Sequence, residues 1–192
     1  MNTISASADR VVVAPTMAAV MAAVMAAVVL TGCAGFPGDG ASPGQIARAP
    51  TQSDIVDLVA IYDPLPWLLD PDDDTGKPLG IRIRSLFLIS AKTEKGVFGD
   101  GILHMTLYGV RHVPGSRSAR EKIHEWQFDK DQAVASRVAK KTWMGYGYMF
   151  DLTWPEEMNL AGQEIALGIE YLRTDGKVVR ERPKYFRVMV GG

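Results

Sequence analysis

Tyr146, Tyr148, Phe150, Leu152 and Trp154 stand at alternate positions, with Gly147, Met149, Asp151 and Thr153 between them. Successive side chains of an extended strand point to opposite faces, so this spacing sets five large apolar groups on one side of a sheet. A helix would need spacings of three and four. The period recurs at Ile165, Leu167, Ile169 and Tyr171, against Glu164, Ala166, Gly168 and Glu170. It recurs again at Leu103, Met105 and Leu107, facing away from His104 and Thr106.

Turn residues separate these runs at sheet-like distances. Gly99-Asp100-Gly101 precedes a strand from Ile102, which predicts a hairpin between Ile81–Ser90 and Ile102–Val110. Thr174-Asp175-Gly176-Lys177 is a stronger signal, because Asp-Gly readily takes the positive φ angles of a tight hairpin, here flanked by Leu172 and Val178. Pro183 cannot donate to a ladder and marks an edge or bulge before a last strand, Tyr185–Val190. One short helix is expected from Asp131, as its cap, through Ala139, with Lys140 and Lys141 at the end that favours cations.

Residues 54–192 thus read as one all-β domain, an antiparallel β-sandwich of seven or eight strands with one short helix. The closing stretch from Met158 to Val190 resembles the end of immunoglobulin-like domains, where a Leu-x-Gly turn leads into an alternating strand, a hairpin and a last strand. A C2-type sandwich would carry the same pattern. Either likeness implies a fold and no activity.

The chain ahead of this domain is different in kind. Val11 to Leu30 holds no charged residue, and Met17 to Val28 is three copies of Met-Ala-Ala-Val. Pro15 and Thr16 divide the run and leave 14 apolar residues from Met17 to Leu30, a length that suits a signal-peptide core better than a permanent span. The chain's single cysteine follows at once, in Leu30-Thr31-Gly32-Cys33. This tetrapeptide resembles the lipobox of bacterial lipoproteins: an apolar residue, two small ones, then cysteine. The basic n-region of that pattern is reduced to Arg10, which Asp9 offsets.

The resemblance implies that residues 1–32 are a signal peptide and that Cys33 receives a diacylglyceryl group before cleavage between Gly32 and Cys33. Small side chains let the backbone lie in a protease groove, and only a thiol forms the thioether. A buried free cysteine in a hydrophobic helix and an uncleaved membrane anchor are the alternatives. Each buried methylene contributes about 0.8 kcal/mol and one chain holds marginally, so two or three chains on Cys33 would hold the protein on the membrane permanently. Ala34 in the next position implies the outer membrane or cell surface rather than the inner membrane. Between Ala34 and Ser53, 13 of 20 residues are Gly, Pro, Ala or Ser, which predicts a flexible tether.

A lone cysteine allows no intramolecular disulfide, so stability must come from the core. With 21 basic and 22 acidic residues the chain has no general pull on nucleic acid. Asp70, Asp72, Asp73 and Asp74 are the candidate metal ligands, hard oxygens of the kind calcium collects six to eight at a time. Counted from Asp70 as an EF-hand loop, however, Thr75 and Ile81 occupy the positions that call for Gly and Glu. The other reading is a solvated acidic turn.

His104, His112 and His124 lack metalloprotease spacing, no G-x-S-x-G elbow occurs, and the glycine-rich Gly96–Gly101 reads as a turn. Trp126, Trp143, Trp154, Tyr146 and Tyr148 fall near Lys140 and Lys141; most suit a sandwich core, and Trp143 is the candidate exposed ligand-binding aromatic. The expectation is a non-enzymatic, lipid-anchored envelope protein without a cofactor, serving in envelope structure or protein interaction. The alternative is a module binding calcium or an envelope glycan.

Overall fold

The structure is a computed structural model and describes residues 42–70, 76–112 and 118–190. Cys33 and the apolar stretch before it, and the acidic residues Asp72, Asp73 and Asp74, lie outside the described residues. Among the described residues no helix is long and apolar enough to cross a membrane.

Two sheets pack face to face. The first is organised on one long strand, β4 (Pro78–Ser90), flanked on both sides by strands laid end to end. One flank holds β2 (Ile55–Ile61) and β3 (Trp67–Leu69); the other holds β5 (Gly96–Gly99) and β8 (Tyr148–Thr153), with β1 (Thr51–Gln52) added in parallel outside β5. The second sheet runs β7 (Ala119–Phe128), β6 (Ile102–Arg111), β9 (Glu164–Leu172), and then β10 (Val178–Arg180) and β11 (Lys184–Arg187) along the far side of β9.

The predicted periodicity holds in the strands that carry it. Tyr148, Phe150, Leu152 and Trp154 are buried while Met149, Asp151 and Thr153 face solvent. Leu103, Met105 and Leu107 from β6, and Ile165, Leu167, Ile169 and Tyr171 from β9, enter the same core. In β4 the buried set changes parity, from Ile81 and Ile83 to Leu86 and Leu88. An irregularity in the pairing with β8 between Ile83 and Leu86 absorbs the extra residue, so both halves of the strand face inward.

The Asp175-Gly176 hairpin forms between the expected flanks, with Gly176 alone of the pair at positive φ. Val178 pairs with Leu172, Gly176 has φ of 83°, and the Asp175 carboxylate accepts a 3.1 Å bond from the Lys177 N–H. Pro183 lies in the break between β10 and β11, where no ladder donor is needed.

Several expectations change. The last strand is Lys184–Arg187 rather than Tyr185–Val190. The predicted hairpin of Ile81–Ser90 with Ile102–Val110 does not form, because β4 and β6 belong to different sheets. After Ser90 the chain turns through residues 91–95 and returns as β5, so Gly96–Gly99 is a buried strand rather than a turn. Asp100 and Gly101 then carry it across to β6.

The helix expected from Asp131 to Ala139 is a shorter 3-10 helix, Gln132–Ser136, and the Asp131 side chain does not cap it. Asp129 does, its carboxylate accepting from the Asp131 and Gln132 N–H groups at 2.9 and 2.8 Å. Val138 instead extends toward β8, its N–H bonding to the Gly147 carbonyl at 2.9 Å.

The stretch assigned to a tether, 34–53, is in part folded onto the domain. Helix α1 (Pro43–Ala47) begins with a capping box between Ser42 and Gln45, and it buries Ile46 to 4% exposure in the sandwich core. A side chain of that kind contributes roughly 1.5–3 kcal/mol on burial, enough to hold so short a segment. Among Gly, Pro and Ala neighbours, one isoleucine carries no periodic signal.

Candidate functional site

At the end of the sandwich that receives α1, a cleft of about 300 Å³ opens between the N-terminal segment and the loop before β8. Its apolar floor is Val97 and Phe98 of β5 with Tyr146; Pro50 forms one wall, and Lys95 and Lys141 stand at the rim. A small turn, Thr142–Gly145, builds the outer wall. The Thr142 N–H bonds to the Gly145 carbonyl at 2.8 Å, and the return bond is 3.0 Å.

That turn is fastened to β5 through glycine. The Tyr146 N–H reaches the Gly96 carbonyl at 2.8 Å, and the Gly96 N–H reaches the Met144 carbonyl at 2.6 Å. Gly145 has φ of 106°, and a Cβ there would overlap the Gly96 backbone. Only glycine satisfies both the conformation and the approach. Trp143 at the tip is consequently thrown outward, 86% exposed, as the sequence suggested.

Cations line the aromatic floor from two sides. The Lys141 ammonium lies 5.3 Å from the Tyr146 ring centre, and the Arg137 guanidinium lies 4.3 Å from that of Phe98. Arg137 also donates to the carbonyls of Ile46 and Ala49 at 3.0 and 3.2 Å, and so clamps the N-terminal segment that forms the cleft wall. Neither Arg137 nor this segment stood out in the sequence; a lone arginine in a polar stretch carries no pattern. Chemically the cleft suits an amphipathic group, apolar toward Phe98 and Tyr146 and anionic toward Lys95 and Lys141.

The three histidines do not converge, and of the acidic candidates only Asp70 is among the described residues. Asp70 is half-buried after β3, and among the described residues no group of three or more His, Cys, Asp or Glu is placed to hold a metal ion. His104 and His124 belong to opposite faces of their sheet. His104 sits opposite Gln127 and Glu170, whereas His124 sits opposite the buried Leu107 and packs edge-on against Trp126 at 4.6 Å.

His112, at the other end of β6, joins a relay. Its Nε2 is 2.6 Å from a Glu164 carboxylate oxygen and its Nδ1 2.9 Å from Ser118 Oγ. The imidazole is 67% exposed, so water competes for every bond a nucleophile would need.

A wider trough of about 600 Å³ lies along the seam between β2 and β10–β11, lined by Tyr62, Asp63, Glu181, Lys184 and Phe186. Burial pushes the Glu181 carboxyl above its ordinary range, and the 3.1 Å bond it accepts from the Ala60 N–H opposes that push. Its charged groups are of both signs, and they stand beside an aromatic pair, Tyr62 and Phe186, packed edge to face at 5.0 Å.

No protein-family model matches the chain, and no curated protein matches it. Among solved structures, the crystal structure of MtrC from Shewanella baltica OS185 is similar at 13% identity and a TM-score of 0.38, over 70% of this chain and 22% of that one. This chain thus spans less than a quarter of that protein's length, and a likeness so distant implies nothing about what it binds.

Proposed function

We propose that the chain is a lipoprotein of a bacterial cell envelope, anchored through a diacylglyceryl group on Cys33, whose β-sandwich serves in envelope structure or protein interaction rather than catalysis. The observation that carries this reading is Leu30-Thr31-Gly32-Cys33 at the close of 14 apolar residues. The outer membrane or cell surface is the location that Ala34 favours. Cys33→Ser removes the only thiol, and with it the thioether that the lipoprotein peptidase requires. The variant should incorporate no labelled fatty acid and accumulate as the unprocessed precursor. A variant that is labelled and matures normally sinks the reading.

A further inference from the structure

We propose that the end of the sandwich carrying Trp143 docks on an anionic lipid surface, so that the domain lies against the bilayer by a defined face. The proposal rests on the lipoprotein reading for the presence of a membrane, and on three features of the folded domain for its orientation.

The first is reach. Folding of residues 42–53 onto the domain leaves nine peptide links between Cys33 and Ser42, which span at most about 32 Å fully extended. The sandwich is roughly as long as β4, whose 13 residues rise about 43 Å. The chain enters at the end built from β5, Arg137 and the cleft. An anchor attached there can bring that end to the headgroups, whereas the opposite end lies farther away than the link can span.

The second is charge. The two loops beside the cleft, 91–95 and the one that holds Trp143, 139–146, carry Lys92, Lys95, Lys140 and Lys141 against one carboxylate, Glu94. Farther round the same end, Lys130 and Lys177 stand with Asp54, Asp100, Asp129, Asp131 and Asp175. All four lysines of the two loops are exposed. Near an anionic bilayer each favours binding by about fivefold. The opposite end mixes signs, with Glu156, Glu157 and Glu164 beside Lys77, Arg111 and Arg187, and has no comparable cluster of lysines.

The third is the aromatic. Trp143 is the most exposed large apolar side chain among the described residues. Tryptophan settles at the headgroup level, where its ring has apolar surroundings and its N–H stays hydrated. Leu65 is also strongly exposed, but it sits between Asp63 and Asp70; Val190 follows Val188 at the opposite end, which has no lysine cluster.

The test uses the full chain reconstituted in vesicles of phosphatidylcholine, with or without phosphatidylglycerol, each carrying brominated acyl chains. Tryptophan emission is compared with that of Trp143→Phe to isolate this one indole. With phosphatidylglycerol present, brominated lipid should quench the Trp143 component, and aqueous iodide should not. Lys140→Glu with Lys141→Glu should lower that lipid quenching more than tenfold, as should high salt. The Cys33→Ser chain, held by its uncleaved apolar segment, retains the same face and should show the same quenching. Failed lipidation would therefore appear in the fatty-acid label alone, and failed docking in the quenching alone. A Trp143 component open to iodide and untouched by brominated lipid in both membranes overturns the proposal and leaves this face to a protein partner.

Discussion

At the end of the sandwich that receives the N-terminal segment, the sheets are closed by directed polar bonds. The Tyr148 hydroxyl accepts the Gly99 N–H at 3.0 Å, the Tyr171 hydroxyl accepts the Gly101 N–H at 2.6 Å, and Arg137 holds the carbonyls of Ile46 and Ala49. At the opposite end closure is apolar. Trp154, Leu160 and Val188 cover the core, and backbone bonds from Gly162 to Val188 and from Val188 to Gln163 tie the segments down.

The contrast follows from what the chain does at each place. Around Gly99–Gly101 it crosses between sheets, so backbone donors leave the ladders and are buried with no strand to satisfy them; a phenol reaching out of the core supplies the missing acceptor. After Trp154 the chain merely loops back toward β9, and its backbone groups pair among themselves. Failure should accordingly be abrupt and chemically specific at the first end, and graded with volume at the second.

The largest effect expected is at the polar end. Gly145→Ala forces a side chain onto a backbone at φ of 106° and into the Gly96 backbone. Strain and overpacking together should cost about 4 kcal/mol. Chemical denaturation would show this as a large fall in midpoint, and a loss under about 1 kcal/mol would mean that the turn is not fastened to β5 as described.

Leu160→Ala probes the apolar end, where the side chain is 6% exposed. It should cost about 3 kcal/mol through lost transfer energy and the cavity left behind. Leu160→Met nearly conserves volume and should recover most of that loss. Equal damage from both variants would contradict the graded response expected of this end.

Tyr171→Phe returns to the polar end with almost no change of shape. It strips the hydroxyl that accepts the Gly101 N–H and reaches the Asp100 carboxylate at 3.3 Å, leaving a buried donor unpaired. The expected cost is about 2 kcal/mol, with faster exchange of the Gly101 amide hydrogen. Unchanged exchange at Gly101 would show that the phenol fills space there and does no more.

The alternation of Tyr148, Phe150 and Leu152, and that of Ile165 to Tyr171, was legible in the chain because a strand's side-chain period is a local property. The Asp175-Gly176 hairpin was legible for the same reason: two residues determine the turn. The exposed Trp143 was legible only as the odd aromatic out of phase with its neighbours. Its prominence comes from a turn that Gly96 and Gly145 let close against β5.

The pairing of β4 escaped the sequence. A turn after residue 90 and a strand from residue 102 predict adjacency, yet four residues with only two side chains between their glycines, Gly96–Gly99, fill the place beside β4. Which strand joins which sheet is decided by long-range burial, and the parity change in β4 becomes visible only when β8 lies beside it. The cleft is likewise a tertiary product, with walls from residues 49–52, 93–98 and 141–146. Sequence alone determined that this chain would make strands with one buried face and that its long apolar stretch is followed closely by a cysteine, because both are patterns within a few neighbours. Tertiary structure decided which end would gather the lysines, the aromatic tip and the N-terminal segment, because only packing joins residues nearly a hundred positions apart.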